Sequence, residues 1–270
     1  MKLHTFSEGH GEPTFVLLHF FGSSGREYAG VMSALAGRYR CIAPDLRGFG
    51  ESATAPDGDY SVDAMTDDVL RLIEQMVTGP FVVVGHSMSS KVALNLAARQ
   101  PAHLLGLVLL APSPLSPEPI DDDERQRLLT THGQRAAAEK TRQNITSAPL
   151  SKAAQEQIVA DDLRSSDAAW QAWLTHGSRE NLEERAARIT QPVQIVLGAD
   201  DEHITAPLME ETLLRVLPQA RLTTLSGAAH VLPLEKPAEV ADILGTFAAW
   251  LLSRQIPTPY AATKPTLLAG

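Results

Sequence analysis

The chain has 270 residues, of which 44% are hydrophobic and 20% charged, with a formal net charge of −9. That balance describes a soluble globular protein with room for a large core, and the acidic surplus argues against nucleic acid, which needs clustered Lys and Arg, and against an anionic membrane. The sole cysteine, Cys41, cannot form an internal disulfide, the first residues lack the apolar segment of a signal peptide, and no apolar run approaches the ~20 residues of a membrane span, so a cytoplasmic location is expected.

Apolar runs alternate with helix-period segments, the pattern of an α/β protein with a mainly parallel central sheet flanked by helices. Residues 15–19 read as a strand, 26–36 as a helix and 40–44 as a strand, with Cys41 a small buried hydrophobe in the last. Ser61 can cap a helix through Met65, Val69, Leu72, Ile73 and Met76, whose spacings of three and four share one face. A strand over 81–84 stops at Gly85, and a helix through Val92, Leu94, Leu96 and Ala97 follows. Residues 104–111 are almost continuously apolar, which predicts a central strand buried on both faces. Four prolines between positions 112 and 119 then exclude both a helix and a central strand.

From Asp121 to about Arg188 the chain is charged and alanine-rich, with helical segments and no strand; Val193 restarts the strand pattern. Residues 112–188 therefore read as a helical cap inserted into a core made of 1–111 and 189–255, because ~75 residues of low apolar density would make a weak core alone. The run Asp121-Asp122-Asp123-Glu124 fits a helix start, where the dipole favours acids. Residues 222–225 read as a strand and 237–252 as a helix, followed by a proline-rich tail over 256–270.

The segment Val84-Gly85-His86-Ser87-Met88-Ser89 carries the chemistry. Strand, tight turn with a central Ser, then helix is the order of a nucleophile elbow, and the turn needs small residues on either side of a serine held at positive φ. Further on, Gly198-Ala199-Asp200-Asp201 and Ser226-Gly227-Ala228-Ala229-His230 each follow a strand, so an acid and a histidine stand where a parallel sheet gathers its active site. Serine needs a base to become a nucleophile, and a carboxylate holds that base in the required tautomer. No dinucleotide fingerprint, P-loop or zinc-protease motif occurs: Gly48-Phe49-Gly50 lacks the third glycine, and His19 and His86 have no partner ligands at metal spacing. No cofactor and no metal are expected.

These segments resemble the α/β-hydrolase-fold serine hydrolases over most of residues 12–252. Leu17-Leu18-His19-Phe20-Phe21-Gly22 resembles the family's oxyanion loop, Asp45-Leu46-Arg47-Gly48-Phe49-Gly50-Glu51-Ser52 its D-x-R-G-x-G-x-S loop, and Ala229-His230 through Pro237 its histidine segment. Phe20 and Ser89 depart from it, each standing where the family usually has glycine. The resemblance implies a triad of Ser87, Asp201 and His230, with Asp201 chosen because the motif places the acid three residues after Gly198. Asp200 would then face solvent or bond the turn backbone, and His203 would be a surface neighbour. It also implies an oxyanion hole from the backbone N–H groups of Met88 and Phe21, with Phe20 the second choice for the latter donor. His19 would orient that loop or pack.

The expected activity is hydrolysis of small to medium carboxylic esters or lactones through a Ser87 acyl-enzyme. Carbon–carbon bond hydrolysis, acyl transfer or perhydrolysis by the same triad is the alternative, and a ligand receptor with a slow triad the reading from another class. Trp170 and Trp173, three apart on a cap helix, either fasten the cap or roof an apolar pocket with Phe20, Phe21, Met88 and Leu232. The partner is a small-molecule ester or lactone, and the oligomeric state is left open.

Overall fold

The computed structural model describes residues 1–52 and 54–255, so the proline-rich tail lies outside the described residues. Its centre is a seven-stranded sheet: β1 (Thr5–Glu8), β2 (Thr14–Leu18), β3 (Cys41–Pro44), β4 (Phe81–His86), β5 (Leu104–Leu110), β6 (Val193–Gly198) and β7 (Arg221–Leu225). The spatial order is β1-β3-β2-β4-β5-β6-β7. Only β1 runs antiparallel, pairing Thr5 with Pro44 and Glu8 with Cys41; all other pairings are parallel. The sequence reading passed over β1, because its four residues, half-buried at the sheet edge, carry almost no apolar signal.

The central strands explain their own sequences. All of β4 is buried, and β5 is buried at every position but Leu105, since helices cover both faces. Those helices are α1 (Ala29–Leu35), α2 (Val62–Met76) and α3 (Met88–Ala98), with α11 (Pro237–Gln255) closing the fold; β5 and β6 are joined through α4 (Asp122–Thr131), α5 (Arg135–Ile145), α6 (Lys152–Arg164), α7 (Asp167–Thr175) and α8 (Glu183–Ala186), and the short α9 (Ala206–Met209) and α10 (Leu232–Glu235) follow later strands. Ser61 caps α2 by accepting from the Ala64 N–H at 3.1 Å, and Asp121 caps α4 by accepting from the Glu124 N–H at 2.7 Å. The helix predicted over 26–36 begins as a tighter 3₁₀ turn, Gly25–Tyr28, before α1. Cys41 is buried in β3, where burial, then the charge of Glu8, pushes its thiol up to about 12, so it serves as a small hydrophobe.

The insertion, residues 112–188, is held differently. Within α4 and α5 the only buried residues are Arg125 and Ala138. Its attachments are polar as well as apolar: Ser24 Oγ donates to Asp161 at 2.8 Å, Arg26 pairs with Asp161 and Arg164 reaches Glu51, while Leu115, Trp170, Trp173, Leu174 and Leu182 are buried in the same apolar cluster as the sheet. Lys91, fully buried on α3, donates to the backbone carbonyls of Ser116 at 3.2 Å and Glu180 at 2.6 Å, and burial pushes its ammonium down to about 8 against Glu118 and Glu180. No described helix is long and apolar enough to cross a membrane.

Candidate active site at the carboxyl ends of the strands

Ser87 stands between β4 and α3 at φ 51°, ψ −114°, a backbone conformation that non-glycine residues rarely adopt. The turn closes tightly. A Cβ on Gly85 would come within 2.7 Å of Ser90 Cα, so only glycine fits there. Ser89, in place of a second glycine, is accommodated because its hydroxyl works inside the turn: it accepts from the His86 N–H at 2.9 Å and donates to the Leu18 carbonyl at 2.8 Å. That second bond ties the elbow to the end of β2, from which the Phe20–Phe21 loop departs.

The structure brings Ser87, His230 and Asp201 together from the ends of three strands. Ser87 Oγ lies 2.8 Å from His230 Nε2, and His230 Nδ1 lies 2.7 Å from Asp201 Oδ2. The other Asp201 oxygen accepts from the backbone N–H groups of His203 at 2.9 Å and Ile204 at 3.0 Å. Burial alone would raise the Asp201 carboxyl, but the bond to His230, its charge and the two N–H donors hold it below the usual carboxylate range. The acid and histidine turns touch through backbone: a Cβ on Gly198 would lie 2.0 Å from the Ala229 carbonyl oxygen.

Asp200 takes a different course. Exposed at the surface, it accepts from Ser147 Oγ of the insertion at 3.0 Å, an attachment the sequence did not show. Glu235 does more of the same, accepting from the N–H groups of Ser147 at 2.7 Å, Ala148 at 2.8 Å and Ala229 at 3.0 Å. The backbone N–H of His230 itself donates to Ile145 of the insertion at 3.1 Å.

A buried relay beneath the site had no sequence signature. Glu27 and His86 are both fully buried and meet at 2.8 Å between Oε1 and Nδ1, while His86 Nε2 lies 2.8 Å from the His230 carbonyl. A carbonyl only accepts, so Nε2 carries a proton, and a further proton is shared between Nδ1 and Glu27. Glu27 also accepts from the Phe20 N–H at 3.4 Å. The pair thus joins the Phe20–Phe21 loop, the elbow and the histidine turn. His19 sits within this frame too. Its Nε2 accepts from the Leu46 N–H at 3.0 Å, which leaves the proton on Nδ1 to donate to the Phe20 carbonyl at 2.8 Å.

Two adjoining cavities reach the triad. One holds Ser87, Glu118 and Ile204 in its wall; the other, of about 210 Å³, runs under the insertion past Phe20, Phe21, Ile158 and Trp170; His203 and His230 border both. His203, read as a surface neighbour, is exposed yet stands at this junction. Trp170 packs against Phe21 with ring centroids 4.2 Å apart and planes tilted by 35°, and its indole N–H donates to the Leu128 carbonyl at 3.0 Å. Trp173, Met88 and Leu232 are placed elsewhere: all three are buried in the main apolar cluster and none is among the residues lining either cavity. Trp173 faces Gly177, where a Cβ would come within 2.5 Å of its ring. Asp162 sits in the wall of the cavity under the insertion, and burial pushes its carboxyl up to about 7 against the pull of the Arg127 guanidinium. Among the described residues no three His, Cys, Asp or Glu side chains are grouped to hold a metal ion.

A parallel sheet in this order, with these three side chains at its carboxyl edge, defines a class, and the comparisons name it. Residues 15–243 match the Alpha/beta hydrolase family, and the chain belongs to that family. It is similar to pimeloyl-[acyl-carrier protein] methyl ester esterase of Aeromonas hydrophila, 26% identical over 265 residues, covering 92% of this chain and 98% of the relative. It also matches Protein PHYLLO, chloroplastic, of Arabidopsis thaliana, 27% identical over 147 residues, but spans only 9% of that protein's length. In fold it resembles a crystal structure of bromoperoxidase from Bacillus anthracis, with TM-score 0.83 and 20% identity over 91% of this chain and 94% of the other. The protein is a hydrolase of the α/β-hydrolase fold, with esterase-named relatives at low identity.

Proposed function

We propose that the protein hydrolyses small to medium carboxylic esters or lactones through an acyl-enzyme on Ser87. The observation that carries this reading is the unbroken line of contacts from Ser87 Oγ through the His230 ring to a buried Asp201. His230 Nε2 takes the Ser87 proton as Oγ attacks the substrate carbonyl carbon, while Asp201 accepts from Nδ1–H and stabilises the imidazolium that forms. The tetrahedral intermediate collapses as the imidazolium returns the proton to the departing alkoxide, releasing an alcohol. Water, deprotonated by His230, then attacks the acyl carbon, and Ser87 leaves as the acid is released.

The oxyanion would be held by the backbone N–H groups of Met88 and Phe21. Supporting this choice, the Phe20 N–H is already turned to Glu27, whereas neither Phe21 nor Met88 donates its N–H to an acceptor among the described residues. In this reading the insertion is a cap, and Trp170 with the two Phe rings forms an apolar lining suited to acyl or alcohol chains.

The test is turnover of p-nitrophenyl acetate and butyrate by wild type and Ser87→Ala, with a parallel panel of lactones and β-diketones. Ester turnover lost in Ser87→Ala supports the proposal. Cleavage confined to β-diketones would replace it with carbon–carbon hydrolysis, and ligand binding without turnover with a receptor role.

A further inference from the structure

Adjacent residues on α6 have opposite circumstances. Asp161 is saturated, bound by Ser24, Arg26 and Arg164. Asp162 is 8% exposed, lines the cavity under the insertion, and its carboxylate makes no hydrogen bond or ion pair with any described residue. It lies against the Phe20–Phe21 loop: its Oδ2 is 3.7 Å from where a Cβ on Gly22 would stand, with the Trp170 ring at 3.1 Å from the same point. Ile158, one helical turn earlier on the same face, and Phe21 give the walls around it an apolar character. The one neighbouring cation, Arg127, is committed elsewhere, with Nε and Nη2 each donating to Glu124 at 2.6 Å.

A carboxyl group that meets no protein donor and opens onto a cavity bordered by His230 is free to accept from an N–H or O–H group of the molecule that fills that cavity. We propose that Asp162 is a specificity-determining residue that accepts a hydrogen bond from an N–H or O–H group on the substrate chain. The preferred ester is then apolar along its length with a hydroxyl or ammonium group remote from the carbonyl, rather than a plain alkyl ester. A carboxyl that titrates near neutrality can meet either donor, ionising fully only against the ammonium. Charged or titratable groups facing the same cavity are Arg127, Glu124, His203 and His230. The inference rests on the proposed ester hydrolysis for its kinetic test and has a binding test independent of it.

The kinetic test measures kcat/KM for p-nitrophenyl esters of four-, six- and eight-carbon acids ending in methyl, hydroxyl or ammonium, and for butyrate esters of matching alcohols. Wild type is expected to favour a donor-ended chain over its methyl-ended partner by about tenfold or more at one length. Asp162→Leu should reverse that order. Asp162→Asn, which keeps an accepting oxygen and the same size, should retain the hydroxyl preference and lose the ammonium preference, and it serves alone if the leucine variant does not fold. Wild-type preference for methyl ends throughout, or a donor preference unchanged in the variants, overturns the proposal.

The second measurement uses Ser87→Ala and the fluorescence of Trp170, one of three tryptophans, with Trp170→Phe as control. Hexylamine or 1-hexanol should bind about tenfold more tightly than hexyl methyl ether, and the difference should vanish with Asp162→Leu added. Equal binding of all three probes overturns the role of Asp162 whether or not any ester is cleaved; absent ester turnover with selective binding would instead sink only the catalytic reading.

Discussion

The sheet core and the insertion face each other across the same cavities, yet different forces hold them. In the core, β4 and β5 are almost wholly dehydrated, and Ser87, Asp201 and His230 hang from strand ends whose backbones touch. In the insertion, α4 and α5 each bury one residue, α7 enters the apolar cluster through Trp170, Trp173 and Leu174, and polar contacts to the core run through Asp161, Ser147, Glu235 and Lys91. Apolar packing fixes position to a fraction of an ångström, as bond-making groups require. Helices with so little buried surface tolerate side-chain replacement, so α4 and α5 are where selectivity can vary while Ser87, Asp201 and His230 stay in place.

Substitutions in the core should therefore act on rate wholesale, and the largest effect belongs to Ser87→Ala, expected to lower kcat by on the order of 10⁶ with unchanged circular dichroism. A variant keeping a tenth of wild-type kcat/KM would remove Ser87 from the mechanism. Next comes Asp201→Asn, where the amide can donate to His230 and hold the wrong tautomer, with an expected loss near 10⁴ in kcat at pH 7. Asp200→Asn should change kcat several-fold at most, because among the described residues the exposed Asp200 carboxylate meets Ser147 and not His230. Equal losses in both would mean that the acid turn is fragile rather than that one carboxylate supports His230.

Glu27→Gln sharpens the contrast from beneath. It keeps the size of the side chain and can still bond His86 and Phe20 as an amide, but it removes the carboxylate that shares a proton with His86, so the frame joining the Phe20 loop to the His230 carbonyl is weakened rather than broken. An expected fall of about tenfold in kcat with little change in KM would mark a positioning role, and a fall in Tm without a fall in kcat would reduce the pair to a structural one.

On the insertion side the effect turns from rate to stability. The Asp162 carboxyl is raised to about 7 by burial, so the native protein binds a proton that the unfolded chain has released between roughly pH 4 and pH 7. Its contribution is present below the unfolded value and lost as pH rises through the folded one. Asp162→Asn should raise Tm at pH 8 by on the order of 5 °C more than at pH 5, measured by thermal melts. Asp201 has the opposite sign. Its lowered carboxyl stabilises the fold above the unfolded value, near pH 4, and that support is lost as pH falls through the folded value, so the Tm gap between wild type and Asp201→Asn should narrow from pH 6 to pH 3.

The same division decides what was legible in the sequence. Residues 81–87 could be read directly, because a buried strand must be apolar throughout and a tight turn at positive φ leaves a Gly-x-Ser imprint. Edge strand β1 left none, its side chains being half in water. Glu27–His86, Asp162 and Glu235 were equally silent. Glu27 meets a residue 59 positions away and Glu235 one 88 positions away, Asp162 bonds no described side chain, and nothing in local spacing announces any of these circumstances. Leu232 and Trp173 were drawn toward the pocket by sequence position and by helical phase, respectively. Burial places both in the apolar cluster instead, since an apolar residue near an active-site loop satisfies core and pocket patterns alike.

The bond from the His230 N–H to Ile145, with Glu235 clamping Ala229 and Ser147 together, has a consequence for traffic. A covering segment stitched to the histidine turn cannot swing upward without dragging the His230 ring off Ser87. Access would then run along the cavity that Asp121 and Glu202 line together with Ser87. A covalent staple between Ser147 and the core would leave the rate intact, whereas a bulky side chain at Glu202 would act as a turnstile.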